Sequence, residues 1–333
     1  MKMYISEETL DDLMNEVLRA LLALPFDVAA TRSQDLGASS EIIGVLLNIT
    51  NPRARLSRTE TRGKAFSALG EFLWYMSKSN SLDFIKYYID KYDKETEDGK
   101  TVYGGYGPRL FNFRENINQI ENIIQLLKKR KTSRKAVIQL FDANDINENH
   151  REIPCTCTLQ FFIRNERLHM LTTMRSNDAY LGLPHDVFAF TMLQEIIARS
   201  LSVEVGEYKH SIGSLHLYKQ HEKLAQQYLA EKFQSTIAMP PMPLKDPWLS
   251  IEILMGIESA IRNKEVEMYD LTLDPYWADL ARLLQIHSLF KLDSFEAVKN
   301  VQSEMTTNNY DIFIDRKLSD ALKKDRKPRP RTK

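Results

Sequence analysis

Cysteine is nearly missing from this 333-residue chain: there are two, Cys155 and Cys157, one residue apart. In an extended strand both would point to the same face, too close in sequence for a useful structural disulfide. Two thiols without a nearby His or Cys pair also make a poor zinc site, so no bound metal is expected. Net charge is missing as well, 45 Lys and Arg balancing 45 Asp and Glu. The molecule as a whole is therefore no generic binder of nucleic acid or membrane surface, and an anionic partner must find a local basic site. No apolar run approaches the roughly 20 residues of a membrane span, and the N-terminus carries no signal-peptide pattern. These absences lead to the expectation of a cytoplasmic protein with neither a membrane nor a nucleic-acid partner.

What is present is ordinary in bulk. Apolar residues make up 43% and charged residues 27%, as in a typical globular protein, and the length allows one large domain or two small ones. Leu10, Leu13, Val17, Leu21 and Leu24 recur at three- and four-residue steps. That spacing predicts an amphipathic helix over 6–24, with Ser6, Glu8 and Asp11 at its positive end. Residues 30–41 read as a loop, 42–49 as a buried strand ended by Asn51-Pro52, and 66–76 as a buried helix around one acid, Glu71. A charged surface helix and a turn at Glu97-Asp98-Gly99 fill 80–101. Residues 102–109 read as a loop with Tyr103, Tyr106, Arg109 and three glycines, lacking the strand-turn-helix setting of a P-loop.

A helix over 117–127 ends in a run of Lys and Arg, and a short strand follows over 136–141. Strands at 159–163 and 168–173 form a hairpin across Asn165-Glu166. A strongly apolar helix spans 187–201, and an extended segment spans 203–218 with His216 and Tyr218 on one face. Then come a helix over 221–233, a proline-rich linker at 239–243, further helices over 247–292 and a basic tail. The tail reads as a solvated, disordered terminus. Strands and helices do not alternate strictly, so the fold class is α+β.

The chemistry gathers in the stretch from Cys155 to Asp186. A thiol is an effective nucleophile as thiolate, and a guanidinium lowers its pKa; Arg175 does this if its strand meets that of Cys155. Arginine also matches phosphate oxygens bidentately, and Ser176 adds a hydroxyl donor. Glu71, alone in an apolar helix, should have a raised pKa suited to moving protons near neutrality. His216 and Tyr218 offer donors suited to sugar hydroxyls. Each residue taken singly has a plainer reading: a core cysteine, a glutamate that reaches solvent, a basic run favouring a helix dipole.

Taken together, the residues resemble thymidylate synthase and its pyrimidine hydroxymethylase relatives over about 32–221. Glu71-Phe72-Leu73-Trp74 is similar to the family's Glu-Leu-Leu-Trp, and Ser133-Arg134-Lys135 to its Ser-Arg-Arg. Pro154-Cys155 with Gln160-Phe161 resembles Pro-Cys-His-x-x-x-Gln-Phe. Arg175-Ser176-Asn177-Asp178, followed by Leu181-Gly182-Leu183-Pro184, resembles Arg-Ser-x-Asp-x-x-Leu-Gly-x-Pro, and Gly206 to His210 with Gly213, His216 and Tyr218 completes the series.

The resemblance implies a mixed sheet with flanking helices in a catalytic domain over 1–235, a helical extension over 236–322 and a basic tail over 323–333. It implies that Cys155 adds to C6 of a pyrimidine nucleoside monophosphate and that 5,10-methylenetetrahydrofolate supplies a carbon to C5. Glu71 would manage protons. Arg175 and Ser176 would hold the 5′-phosphate, helped by Arg134 and Lys135 from the second subunit of a homodimer and by Arg32 from a loop. His216 and Tyr218 would bind the sugar, Asp178 would position base and folate, and Tyr103 or Tyr106 would line the pocket.

The departures narrow the substrate. Thymidylate synthases carry Asn where this chain has Asp186. A carboxylate suits the 4-amino group and a protonated N3 of cytosine; facing uracil O4 it would bring two acceptors together. Relatives with Asp there are cytidylate hydroxymethylases, and the plainer alternative is that Asp186 caps the helix starting at Val187. Lys135 for the second arginine and the small Ala179 leave room for a ribose hydroxyl, favouring CMP over dCMP. Thr156 replaces a histidine after the nucleophile. About a hundred residues follow the matched region, where the family has a short sealing tail. A site closed differently would let water complete a hydroxymethyl group. The competing expectations are a thymidylate synthase methylating dUMP by hydride transfer and a non-enzymatic nucleotide- or RNA-binding relative.

Overall fold

The computed structural model describes residues 3–29, 37–264 and 273–325. The first half runs through strand β1 (Tyr4–Glu7), helix α1 (Leu10–Leu22), β2 (Ser39–Ile49), α2 (Ala65–Met76), α3 (Leu82–Tyr88), α4 (Tyr106–Phe111), α5 (Gln119–Lys129) and β3 (Val137–Gln139). The middle holds β4 (Thr156–Arg164), β5 (Arg167–Asp178), α6 (Gly182–Ser200), β6 (Glu204–Tyr218) and α7 (Glu222–Ala230). Helices α8 (Trp248–Asn263), α9 (Pro275–Lys291), α10 (Phe295–Ser303) and α11 (Asp311–Asp325) follow.

The strands form one sheet in the order β1-β2-β6-β5-β4-β3. The β1/β2 and β5/β6 pairs are parallel, and the others are antiparallel. This mixed pairing gives the expected α+β fold. The β4–β5 hairpin closes on Asn165 and Glu166, with φ of 51° and 54°. Two consecutive positive φ values give the turn whose twist matches paired strands. Joining β5 to its parallel neighbour β6 needs a crossover, and α6 supplies it. Buried against the sheet along nearly its whole length, α6 is apolar on almost every side.

Four expectations are corrected. Ser6 and Glu7, expected to open the first helix, belong to β1: Ser6 accepts from Asn48 Nδ2 at 2.9 Å, and Thr9 caps α1 by accepting from Asp12 N at 3.0 Å. The short polar start pairs with β2, and only the periodic leucines fold as helix. The proposed surface helix in 80–101 is short, with Leu82, Phe84, Ile85 and Tyr88 buried. The glycine loop at 102–109 passes into α4 at Tyr106. Finally, α6 begins at Gly182, because a proline in the first turn is tolerated where its missing N–H has no partner to lose. Asp186 therefore lies inside the helix and is no cap; the N-cap position is Leu181, with no side-chain bond.

Met239 to Met242 is likewise no slack linker. Met239 N donates to Arg53 O at 2.8 Å, Met242 N to Glu195 Oε1 at 3.0 Å, and Arg199 Nε to Met242 O at 2.9 Å. Glu195 also pairs with Arg55, both wholly buried. This strap fastens the following helices to α6. Tyr88 Oη donates to Glu258 Oε1 at 2.9 Å, joining α3 to α8, and the Phe66 ring of α2 packs on His287 and Phe290 of α9. The basic tail beyond Asp325 lies outside the described residues. Among the described residues no helix is long and apolar enough to cross a membrane.

His210 on β6 is buried, and burial pushes its pKa down to about 3. The folded state keeps it neutral while the unfolded chain protonates it near pH 6.5, so its contribution is intact above that pH and lost progressively as pH falls toward 3. Unfolding at pH 5 should take up close to one fewer proton in His210→Gln than in the parent. Thermal melts from pH 7 to 5 should show a pH slope shallower by up to about 1.4 kcal/mol per unit. Parallel slopes would show that His210 is not held neutral.

Candidate active site

Cys155 sits half-buried at the bend entering β4. The strand meeting anticipated above occurs: Arg175 N donates to Cys155 O at 2.9 Å, and Arg175 Nη2 approaches Cys155 Sγ at 3.7 Å. The same guanidinium donates from Nε to Pro154 O at 3.0 Å and from Nη2 to Ile153 O at 3.2 Å. Arg175 thus braces the segment that presents the thiol and sets a fixed cation beside it. Burial pushes the neighbouring Cys157 thiol up, against an opposing pull from Arg175. Behind Cys155, the Tyr106 hydroxyl shares a 2.9 Å hydrogen bond with Thr156 Oγ1 and accepts from Thr156 N at 3.2 Å. Tyr103 turns elsewhere and stacks on His150 at 3.5 Å between ring centroids.

Two buried carboxyls face the same interior. Glu71 Oε1 accepts from Tyr75 Oη at 3.0 Å, one turn along α2, and from Tyr92 Oη at 2.9 Å. Burial raises its pKa, while Tyr92, Tyr75 and the charge of Arg62 pull it back. Asp186 is 9% exposed, and its Oδ2 accepts from Asn177 Nδ2 at 2.7 Å. Burial first, and then the Glu71 charge, hold Asp186 well above the ordinary carboxylate range. Two acids raised by burial, Asp186 further by the Glu71 charge, with phenols and an amide as donors, form an arrangement suited to storing and passing protons.

A clamp fixes the helix that carries Asp186. Arg62 Nη2 donates to Leu181 O at 3.0 Å and contacts His185 Nδ1 at 3.1 Å. Arginine only donates, so Nδ1 accepts and Nε2 carries the proton shared with Ser67 Oγ at 2.9 Å. Burial and the Arg62 charge push His185 down to about 3, which keeps it neutral. This ties the start of α6 to α2, the helix bearing Glu71.

The parallel β5/β6 register brings the other residues together. Ser176 faces Ser214, and Asp178 faces His216. His216 and Tyr218 contact each other edge-to-face at 4.9 Å. Ala179 is fully buried, and its N donates to His216 O at 2.8 Å. Asp178 Oδ1 accepts from Tyr180 N at 2.8 Å and Leu181 N at 2.9 Å, closing the turn that leads into α6. Arg134 and Lys135 lie apart. They are exposed just before β3, where Arg134 O accepts from Gln160 Nε2 at 3.0 Å. Gln160 is roughly 16 Å along the strand from Cys155. Arg32 lies outside the described residues.

The roles of Tyr92, Arg62 and His185, and the bond from Asn177, were not anticipated from sequence. Tyr75 at one turn from Glu71 was readable; the others are long-range contacts. Among the described residues no group of three His, Cys, Asp or Glu side chains could hold a metal ion.

A family model described as thymidylate synthase matches residues 54–273. One relative, a deoxyuridylate hydroxymethyltransferase of Delftia phage PhiW-14, is 28% identical over 56% of this chain and 55% of its own. A thymidylate synthase of Francisella tularensis subsp. holarctica is 29% identical over 54% of this chain and 69% of its own. A Bacillus spizizenii thymidylate synthase is 27% identical over 63% and 70%. The chain thus spans about half the length of the phage relative and about 70% of the two bacterial ones.

The Arg175–Cys155 contact makes a chemical prediction independent of substrate. Iodoacetamide at pH 7 should alkylate Cys155 before Cys157, and Arg175→Gln should slow the Cys155 reaction by about tenfold. Peptide mass mapping reads both; equal rates at the two thiols would refute the assignment.

Proposed function

The chain belongs to the thymidylate synthase family, and on that premise we propose that it is a cytidylate 5-hydroxymethylase acting on CMP. The observation carrying this reading is Asp186. It is an interior residue of α6, buried beside Glu71 with one oxygen tied to Asn177, and so is available as a base-reading carboxyl rather than a cap. Its other oxygen can accept from a 4-amino group or share a proton with N3 of cytosine, and a proton on N3 makes C6 more electrophilic. Burial, and then the Glu71 charge, raise the Asp186 pKa and so favour holding such a proton.

Cys155 adds to C6, with Arg175 beside the sulfur. Glu71, on its paired phenols, takes the hydrogen that leaves C5. Arg175 and Ser176 bind the phosphate. His216 and Tyr218, next to the small Ala179, bind a ribose. The co-substrate 5,10-methylenetetrahydrofolate supplies a one-carbon unit at the oxidation level of formaldehyde. Asp178 fits a role in holding it, because the turn uses only Oδ1 and leaves a second carboxylate oxygen for pterin N–H donors. Tyr106 fits as the aromatic wall behind the nucleophile. Overall, C5–H becomes C5–CH2OH, water supplies the oxygen, and tetrahydrofolate departs without a redox change.

A second reading has its own support. A protonated Asp186 can donate to uracil O4, which suits a thymidylate synthase methylating dUMP by hydride transfer. Turnover with CMP, dCMP, UMP and dUMP, followed by product mass, separates the two. The expected result is hydroxymethyl-CMP without dihydrofolate absorbance, loss of C5 hydrogen release in Cys155→Ser, and a shift of Asp186→Asn toward uridylates. Turnover of dUMP alone would sink the cytidylate reading.

The exposure of Arg134, and its distance along β4 from Cys155, support a homodimer in which it reaches the partner's phosphate site. Arg134→Ala and Cys155→Ser, each inactive alone, should regain activity when their subunits are exchanged by mixing. Persistent inactivity of mixed dimers would place Arg134 outside the site.

A further inference from the structure

We propose that Asn177 is a positioning residue that makes Asp186 selective between the cytosine and uracil edges. The proposal rests on the reading that Asp186 faces the base. Asn177 stands one residue before Asp178 on β5, 4% exposed, with its side chain turned under the start of α6. Its amide nitrogen lies 2.7 Å from Asp186 Oδ2. Room for this contact depends on Gly182. A Cβ there would stand 3.0 Å from Asn177 Nδ2 and 3.4 Å from Asp186 Oδ2, crowding both partners.

An amide N–H can only donate, so with the Asn177 nitrogen toward it Oδ2 acts as an acceptor. A proton on Asp186 then sits on Oδ1, and Oδ1 is the oxygen left for a ligand. Asn177 thus converts a symmetric carboxyl into a directional one. Cytosine offers an acceptor at N3 and a donor at the 4-amino group, and it needs an oxygen whose proton can be handed to N3 and leave an acceptor behind. Without the Asn177 donor the proton is free to occupy either oxygen, and the preference between N3 and a 4-keto oxygen is lost. The carbonyl Oδ1 of Asn177 is buried and has no protein partner, so no hydrogen bond of its own holds the amide the other way round. The bond to Asp186 alone sets its orientation.

Two near-isosteric variants test this. Asn177→Leu removes the donor, and Asn177→Asp replaces it with an acceptor, at little change in volume. The readouts are the ratio of kcat/KM for cytidylate against uridylate and the carboxyl C=O infrared band, assigned by its loss in Asp186→Asn. Both variants should move the ratio toward unity by about tenfold or more, the size expected for losing a hydrogen bond to a carboxyl group. Both should also shift the infrared band, at melting temperatures that keep the enzyme folded. Equal losses on both bases, or an unmoved ratio with an unmoved band, would overturn the proposal and leave Asn177 a packing residue. A parent enzyme that prefers uridylate would overturn the cytidylate reading instead. Its ratio and band would still decide the role of Asn177.

Discussion

The parallel pairing of β5 with β6 is the constraint on which the rest of the site depends. It sets Ser176 opposite Ser214 and Asp178 opposite His216, on the strand whose other edge pairs with β4 and brings Arg175 to Cys155. A slip of one residue would turn every one of these side chains to the other face. Parallel neighbours cannot be joined by a tight turn, so the pairing also requires α6. The helix that satisfies the connection is the helix that carries Asp186. Sheet register and the placement of the buried Asp186 carboxyl are therefore two results of one topological requirement.

Around that frame the interior polar groups fall into two kinds. Glu195, Arg55, Arg199 and the Met242 backbone form a charge network in which opposite signs meet directly. Glu71 and Asp186 have no such direct cation; phenols, an amide and each other surround them. The first kind holds the α6 backbone in place. The second keeps two acids in a state that folding alone disfavours, burial raising the pKa of each. The neutral His185, wedged between Arg62 and Ser67, ties the start of α6 to α2.

Local chemistry was legible in the sequence, and long-range chemistry was not. The hairpin at Asn165-Glu166, the buried helix around Glu71 and the extended run to Tyr218 each follow from spacing within a few residues. Helix starts were misread where polar residues or Gly and Pro stand first. Ser6 joined a strand because β2 lay beside it, and Gly182 to Pro184 formed a first turn rather than a break. The family resemblance supplied Cys155, Glu71, Arg175 and Asp186 as a set, but not the residues that condition them. Tyr92 reaches Glu71 across 21 positions, and Arg62 reaches His185 across 123. No local pattern marks such partners, because their roles are set by the fold.

The strap from Met239 to Met242 bears on what truncation of the last helices would do. Its backbone donates to Glu195 and accepts from Arg199 inside the protein. Cutting the chain before the strap would leave a Glu195 oxygen and Arg199 Nε each short of one buried hydrogen bond, a loss of about 1–3 kcal/mol apiece. The carboxyl-terminal helices are thus fastened to buried polar groups of α6, and their removal would be felt inside that helix.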